Sequence, residues 1–575
     1  MSSAVRVIPS LPSALSSTFY PEGPDRPSGY QCGLLAPKTD HMKRLIAFAA
    51  AVMTLTACGE KPDNGGGDNT TVEAPTSISL SVSEIAAGPD GGNYEITVSA
   101  PARPKITELP SWVGLTDGVF KNFSIKYILK VEANPKYEPR SAQVKVSCKD
   151  ATEVSLTISQ EAKKEVVDPT PPDPEDANAA WKLSQTLGIG INLGNHFDAF
   201  YNGTWAGDKF LYPAEDIWDG AKATKQTFTG IANAGFMTVR IPVTWLKMIG
   251  PAPNYTIDET WLNRVYQCVM WAHEAGLNVV VNMHHDENHH SIIENGVDID
   301  TRWQDIKNAV NNSELNASII AQIKGAWKNI ATKFADCGEW LILESFNEIN
   351  DGGWGWSSDF RADPTRQCNI LNQWNQAFVE AVRSAGGYNE TRWLAVPTYA
   401  ANPEYEKYAV MPTDPAGKTI LAVHFYDPGD YTIGEAQYTD WGHTGDPAHK
   451  SNGGDEDHVK SVFSNLCTKY VEKNIPVYLG EFGCSMRDKN NARAWAFYLY
   501  YLEYVVKAAK TYGLPCMLWD NGASGAGQEH HGYINHANGS YIGNSRYPVD
   551  TMMKAWKTNS DSYTLKSVYD SAPNF

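Results

Sequence analysis

Six segments of the 575-residue chain end an apolar run with side chains that can bond, polarise or stack. They are Arg240 in "VRIP", His284 and His285 in "NMHHD", Asn347 and Glu348 in "FNE", His424 and Tyr426 in "HFY", Glu481 in "GEFG", and Trp519 in "LWDNG". One such residue is explained as a capped strand end; six are not. Two of the groups are carboxylates. One carboxylic acid that protonates a leaving oxygen, with a second that attacks an anomeric carbon or activates water, is what glycoside hydrolysis requires. Trp, His, Tyr and Asn around such a pair suit a sugar.

The stretch "LILESFNEIN" (341–350) carries two glutamates in a run that should be a buried strand. A buried carboxylate is costly unless paired. On a regular strand Glu344 and Glu348 would share a face, about 13 Å apart at about 3.3 Å per residue. Glu344 then lies deep, as one half of an ion pair, and Glu348 reaches the mouth. Asn347 would point away unless the strand bulges there.

The elements that must position these groups follow from periodicity. "GIGINLG", "TVRIPV", "NVVVNMH", "LILESFNE", "RWLAVPTY", "ILAVHFY", "PVYLGEFG" and "PCMLWDNG" read as strands separated by helical patterns. In "DETWLNRVYQCVMWAHEAG", Trp261, Leu262, Val265, Cys268, Val269 and Ala272 form one stripe, with Asp258 as N-cap and Gly276 as stop. Eight such units over residues 177–575 predict an α/β domain, a (β/α)8 barrel with its site at the C-terminal strand ends. A doubly wound sheet is the alternative, but "GIGINLG" has the wrong glycine spacing for a dinucleotide.

Before the barrel, residues 75–162 alternate with period two. Ile78, Leu80 and Val82 share a face in "SISLSVS", as do Ile125, Tyr127, Leu129 and Val131 in "SIKYILKV". "SAQVKVSC" and "EVSLTISQ" repeat the pattern, so a small immunoglobulin-like β-sandwich is expected. The phrases "LPSWV" and "RSAQVKV…LTISQEA" resemble the BACON domains of carbohydrate-active lipoproteins from Bacteroidetes-type bacteria. Without an aromatic ladder, a spacer is a better reading than a sugar binder. Residues 163–176 form a Pro-rich, semi-rigid linker.

Further upstream, "MKRLIAFAAAVMTLTACGE" has a basic start and an apolar stretch too short to span a bilayer. Its "LTAC" resembles a bacterial lipoprotein cleavage box, with Cys58 as the lipidated residue. The expectation is therefore a misassigned leader over 1–41, a signal peptide over 42–57 and a flexible tether over 58–74. That places the protein on the outer membrane as a lipid-anchored surface protein.

A formal net charge of −18 disfavours nucleic acid as a partner. Of nine cysteines, seven lie beyond Cys58 without metal-site spacing and read as buried free thiols. In "HHDENHH", His285 and His289 are four apart, but the segment leaves a strand for a loop, so no metal is expected. Trp245, Trp441 and the "GGWGW" tryptophans read equally as stacking platforms or as core.

In order, "GINLGNHFDA", "VRIPVTW", "FNE", "LNQWNQAFVEAVRSAGGYNETRWLAVPTYAAN", "HFY", "GEFG" and "LWDNG" resemble glycoside hydrolase family 5, in its endoglucanase and xyloglucanase branch. The likeness covers residues 177–575. It departs at Ile349, where proline commonly follows, and at His196, in place of a small residue, which would alter the cleft floor. The resemblance implies a retaining hydrolase of β-1,4-glucan, xyloglucan first and cellulose, mixed-linkage glucan or mannan after it. Glu348 would be the acid/base and Glu481 the nucleophile, kept ionised by Arg240 and Tyr426. Asn347 would bind the sugar 2-OH, His424 would orient Glu348, and His284 and His285 would contact the sugar. Trp519 would floor the site, and Asn195 and Asp198 would bind neighbouring hydroxyls. No cofactor is implied, and a monomer is expected. A barrel that only binds polysaccharide is the competing class, disfavoured by the intact glutamate pair.

Overall fold

The computed structural model describes residues 73–575, except 135, 137, 164–166, 174, 206–207, 287–290, 295–296, 301–303 and 435–437. The expected leader, signal peptide, Cys58, nearly all of the tether and His289 lie outside the described residues.

Strands β1 (Ser79–Leu80), β2 (Glu84–Ala87), β3 (Gly92–Ser99), β4 (Lys105–Thr107), β5 (Val113–Asp117), β6 (Ser124–Val131), β7 (Arg140–Ser147) and β8 (Val154–Gln160) come first. They form two four-stranded sheets, ordered β1-β3-β6-β5 and β2-β8-β7-β4. Period-two alternation buries Ile125, Tyr127, Leu129 and Val131 from one sheet against Val144, Val146, Leu156 and Ile158 from the other. Val82 does not join Ile78 inside: β1 lasts two residues, and Val82 is 41% exposed. The linker is bonded to the barrel's flank. Lys163 pairs with Asp457, and Asp168 accepts from Tyr512 and pairs with Lys460.

The eight predicted apolar runs all become parallel strands of one closed barrel. They are β9 (Ile189–Asn192), β10 (Thr238–Ile241), β11 (Asn278–Asn282), β12 (Leu341–Glu344), β13 (Leu394–Pro397), β14 (Thr419–Phe425), β15 (Val477–Phe482) and β16 (Cys516–Leu518). Val280, Ile342, Ala395, Ile420, Ala422, Tyr478 and Met517 fill the interior, with Leu183 and Leu187 of helix Ala179–Leu187 packed against them. Their alternate neighbours along the strands face the surrounding helices, as Val279, Leu343, Val396 and Leu421 do. Helix Glu259–Glu274 starts at Asp258, whose side chain accepts the Trp261 amide, and gives way to Gly276 at φ 86°. The seven cysteines among the described residues are free, six of them buried.

Candidate active site

The deepest polar layer is organised by Arg240 on β10. Its guanidinium, fully buried, donates through Nε to Glu344 Oε2 (2.7 Å) and through Nη1 to Asn192 Oδ1 (3.0 Å). It also donates through Nη1 to Glu481 Oε1 (2.9 Å) and through Nη2 to Asn347 Oδ1 (2.8 Å). Burial pulls its pKa down, but the Glu344 and Glu481 carboxylates outweigh that and hold it above the ordinary value. Glu344 is thus the buried half of an ion pair, and Arg240 connects it to Glu481 at the mouth.

Glu348 arrives by a different route from the one its spacing suggests. Strand β12 stops at Glu344, so Asn347 and Glu348 belong to the segment leaving it and are not bound by strand alternation. Both reach the site, Asn347 on Arg240 and Glu348 on His424, whose Nδ1 lies 2.7 Å from Glu348 Oε1.

Glu481 is aimed by a bulge. Val423 pairs with Leu479 but His424 pairs with Glu481, so Gly480 is one residue extra on β15. Tyr478 faces the barrel interior and Leu479 the helices, and simple alternation would send Glu481 outward with Leu479. The extra residue turns it inward instead. Asn192 holds the bulge, donating to the Gly480 carbonyl at 3.0 Å while accepting from Arg240. Neither Asn192 nor Asn282, which contacts His284 Nδ1 at 3.2 Å, was singled out from sequence. The signal was there: each is a polar residue in an apolar strand, like Glu344.

Glu481 Oε2 accepts from the Tyr426 hydroxyl at 2.9 Å, and His284 Nε2 stands 4.0 Å from Oε1. Arg240 and Tyr426 act as expected on its charge, but their effect is not the largest. Burial raises the Glu481 pKa and Glu348 raises it further, while His424 when protonated, Arg240 and Tyr426 offset part of this. Burial also lowers His424, to about 4, so this imidazole is neutral at neutral pH. His284 is driven well below its ordinary value by burial and by His285 and Arg240. One oxygen of each catalytic candidate and the His424 nitrogen lie within 4.8 Å of one another.

Around this centre, the His284 ring is parallel to the half-buried Trp519 indole, centroids 5.9 Å apart. Gly194 lets Trp519 lie against the β9 loop: a Cβ there would meet the indole at 2.6 Å. His285 joins a second aromatic group, with Phe200 and the 36%-exposed Trp218 each 5.8 Å away. Trp218 was not anticipated. Asn195 is half-buried with φ 57°, a backbone conformation asparagine tolerates. Asp198 is fully buried, and its carboxylate accepts the backbone amides of Asn195 (3.0 Å) and His196 (2.7 Å). It shapes the loop rather than offering itself to a hydroxyl. His196 is likewise fully buried and forms no part of the cleft floor. Trp245 and Trp441 are core, whereas Trp356 is 77% exposed.

This arrangement sets one carboxylate in hydrogen-bond contact with a histidine and a second 3.7 Å from the same nitrogen, beside aromatic faces at the mouth of a barrel. Comparisons with known proteins identify the family. Residues 198–525 match the model of the cellulase family, glycosyl hydrolase family 5. Endoglucanase A of Paenibacillus barcinonensis is 36% identical over 360 residues, 60% of this chain and 83% of that protein. A xyloglucan-specific endo-β-1,4-glucanase of Bacteroides ovatus is 28% identical over 511 residues, 85% of this chain and 93% of that one. Among solved structures, a Bacteroidetes-affiliated family 5 cellulase linked with a polysaccharide utilization locus is 41% identical. It covers 70% of this chain and 99% of its own, with a TM-score of 0.64. The chain belongs to glycoside hydrolase family 5 and is an endo-β-1,4-glucanase of that family.

Proposed function

We propose that the enzyme cleaves internal β-1,4 bonds of xyloglucan by double displacement, at the bacterial surface, tethered through Cys58. Glu481 attacks the anomeric carbon while Glu348 gives its proton to the departing oxygen. Water then displaces Glu481, losing a proton to Glu348. The observation carrying this reading is the close approach of the carboxylates, with oxygens within 4.8 Å. Retaining pairs sit about 5–5.5 Å apart, while inverting pairs need about 6.5–9.5 Å to admit a water between. Asn347 Nδ2 is free to face the sugar 2-OH, since its Oδ1 is taken by Arg240. Xyloglucan is supported by the Bacteroides ovatus relative, whose likeness extends through the N-terminal region as well as the barrel. Unbranched cellulose is the second reading, favoured by the 41%-identical cellulase.

Initial rates on tamarind xyloglucan, soluble cellulose, mixed-linkage glucan and mannan test the substrate. The highest kcat/KM should fall on xyloglucan, and a value more than tenfold higher on any other polymer overturns that choice. For the anchor, Cys58→Ala should move the enzyme to the soluble fraction. A mutant that still sediments with membranes and takes up labelled fatty acid would place the anchor elsewhere.

A further inference from the structure

Behind the cleft wall, carboxylates and imidazoles alternate through Glu215, His196, Asp219, His536 and Asp520. His196 and His536 side chains are 0% and 2% exposed, Asp219 4%. We propose that His196 Nδ1, His536 Nδ1 and Asp219 Oδ2 bind a zinc ion, which ties together three loops of the barrel mouth.

Three observations converge on it. One potential ligand atom from each of the three residues lies within 4.8 Å of the others. The spacing of His196 Nδ1 from Asp219 Oδ2, 3.4 Å, matches two ligands each about 2.1 Å from a tetrahedral ion. The His536 Nδ1 to Asp219 Oδ2 distance, 2.7 Å, is hydrogen-bonding and would open by about 0.7 Å on binding.

Each imidazole also presents its far nitrogen to a carboxylate, the outer arrangement that orients metal-bound histidines. His196 Nε2 is 2.8 Å from Glu215 Oε1, and His536 Nε2, buried without a hydrogen bond, is 3.6 Å from Asp520 Oδ1. These carboxylates are themselves held. Arg264 and the Ala223 amide donate to Glu215, and the amides of Gly522, Tyr533 and Ile534 donate to Asp520.

The backbone of Gly522 passes close beside the ligands. Gly522 adopts φ 70°, and a Cβ there would sit 3.3 Å from His536 Nδ1 and 3.4 Å from Asp219 Oδ2. Two imidazoles with one carboxylate select zinc over calcium or magnesium, which take oxygen ligands.

The ion would sit where it matters for substrate. His196 adjoins Asn195, Asp219 adjoins Trp218, and Asp520 adjoins Trp519, so one ion would brace the loops carrying two aromatic faces of the cleft. The two other groups of three or more such side chains among the described residues, Asp198 with His284 and His285 and Glu348 with His424 and Glu481, belong to the site already described.

The test uses the untagged full-length enzyme, its metal content measured by plasma mass spectrometry and its zinc affinity by chelator competition. About one zinc per chain is expected. Chelation should lower Tm, and zinc chloride alone should restore it. Glu215→Gln, which alters only an outer partner, should weaken zinc by about 10–100-fold, and Asp219→Asn by more. A wild-type protein that holds no zinc and whose Tm does not respond to it overturns the proposal. So does zinc binding that is equal in wild type, Glu215→Gln and Asp219→Asn.

Discussion

Tyr426 and Arg240 divide the two oxygens of Glu481 between them, one donor to each, and this division sets both its aim and its charge. The Tyr426 hydrogen bond lowers the Glu481 pKa against burial and Glu348, which raise it. Tyr426→Phe removes that help while keeping the ring. A hydrogen bond to a charged group contributes about 1.5–3 kcal/mol, so kcat/KM should fall by about 10–150-fold. The pH profile should move as well. A nucleophile must be ionised, and losing a donor raises its pKa further, so the acid limb of kcat/KM should shift to higher pH. A limb that stays in place or moves down would show that Tyr426 does not tune Glu481. Arg240, Glu348 and Glu481 were legible as residues because charge in an apolar run is expensive and so must be explained. Asn192 and Asn282 were overlooked because an uncharged amide there raises less alarm, although it bears the same bonding obligation. Asp198 was misjudged, since sequence cannot show that its oxygens are already taken by the backbone amides beside it.

Strand β15 shows what periodicity can and cannot reveal. All eight barrel strands were visible because both of their faces are buried, giving short apolar runs between helical patterns. The bulge at Gly480 was invisible: one unpaired residue leaves no mark on composition, only on register. The end of β12 was equally hidden, because the apolar Phe346 and Ile349 continue the run after the strand has stopped. Gly480 offers a test of the bulge's role. A Cβ there would lie 3.0 Å from His424 Nε2 and 3.2 Å from the Tyr478 ring, with no backbone conformation reserved for glycine. Gly480→Ala should therefore displace His424 from Glu348 while the barrel stays folded. The expected outcome is a kcat reduced by about 10–100-fold, a partial loss of the roughly 10²–10⁴-fold that a positioned general acid–base group contributes, with KM changed little. An enzyme with unchanged kcat and an unaltered circular dichroism spectrum would mean that the His424–Glu348 contact does not depend on this close approach.

At the scale of the whole molecule, the sandwich and the barrel each have a core of their own, and the linker is bonded to the barrel through Asp168 and Lys163. None of those linker bonds reaches the catalytic groups. An enzyme beginning at Ala177 should therefore keep kcat/KM on soluble xyloglucan within tenfold, or about 1.4 kcal/mol. A larger loss would show that the N-terminal domain shapes the cleft. The central claim, that Glu481 is the nucleophile of a retaining enzyme and Glu348 its acid/base, is open to a more direct measurement. A 2-deoxy-2-fluoro β-aryl cello-oligosaccharide with a good leaving group forms the glycosyl-enzyme but slows its hydrolysis, so the adduct can be located by peptide mass spectrometry. One sugar unit should be found on Glu481, and Glu348→Ala should still accumulate it because this leaving group needs no acid. A label on Glu348, or inversion at the anomeric centre with no adduct at all, would contradict the assignment.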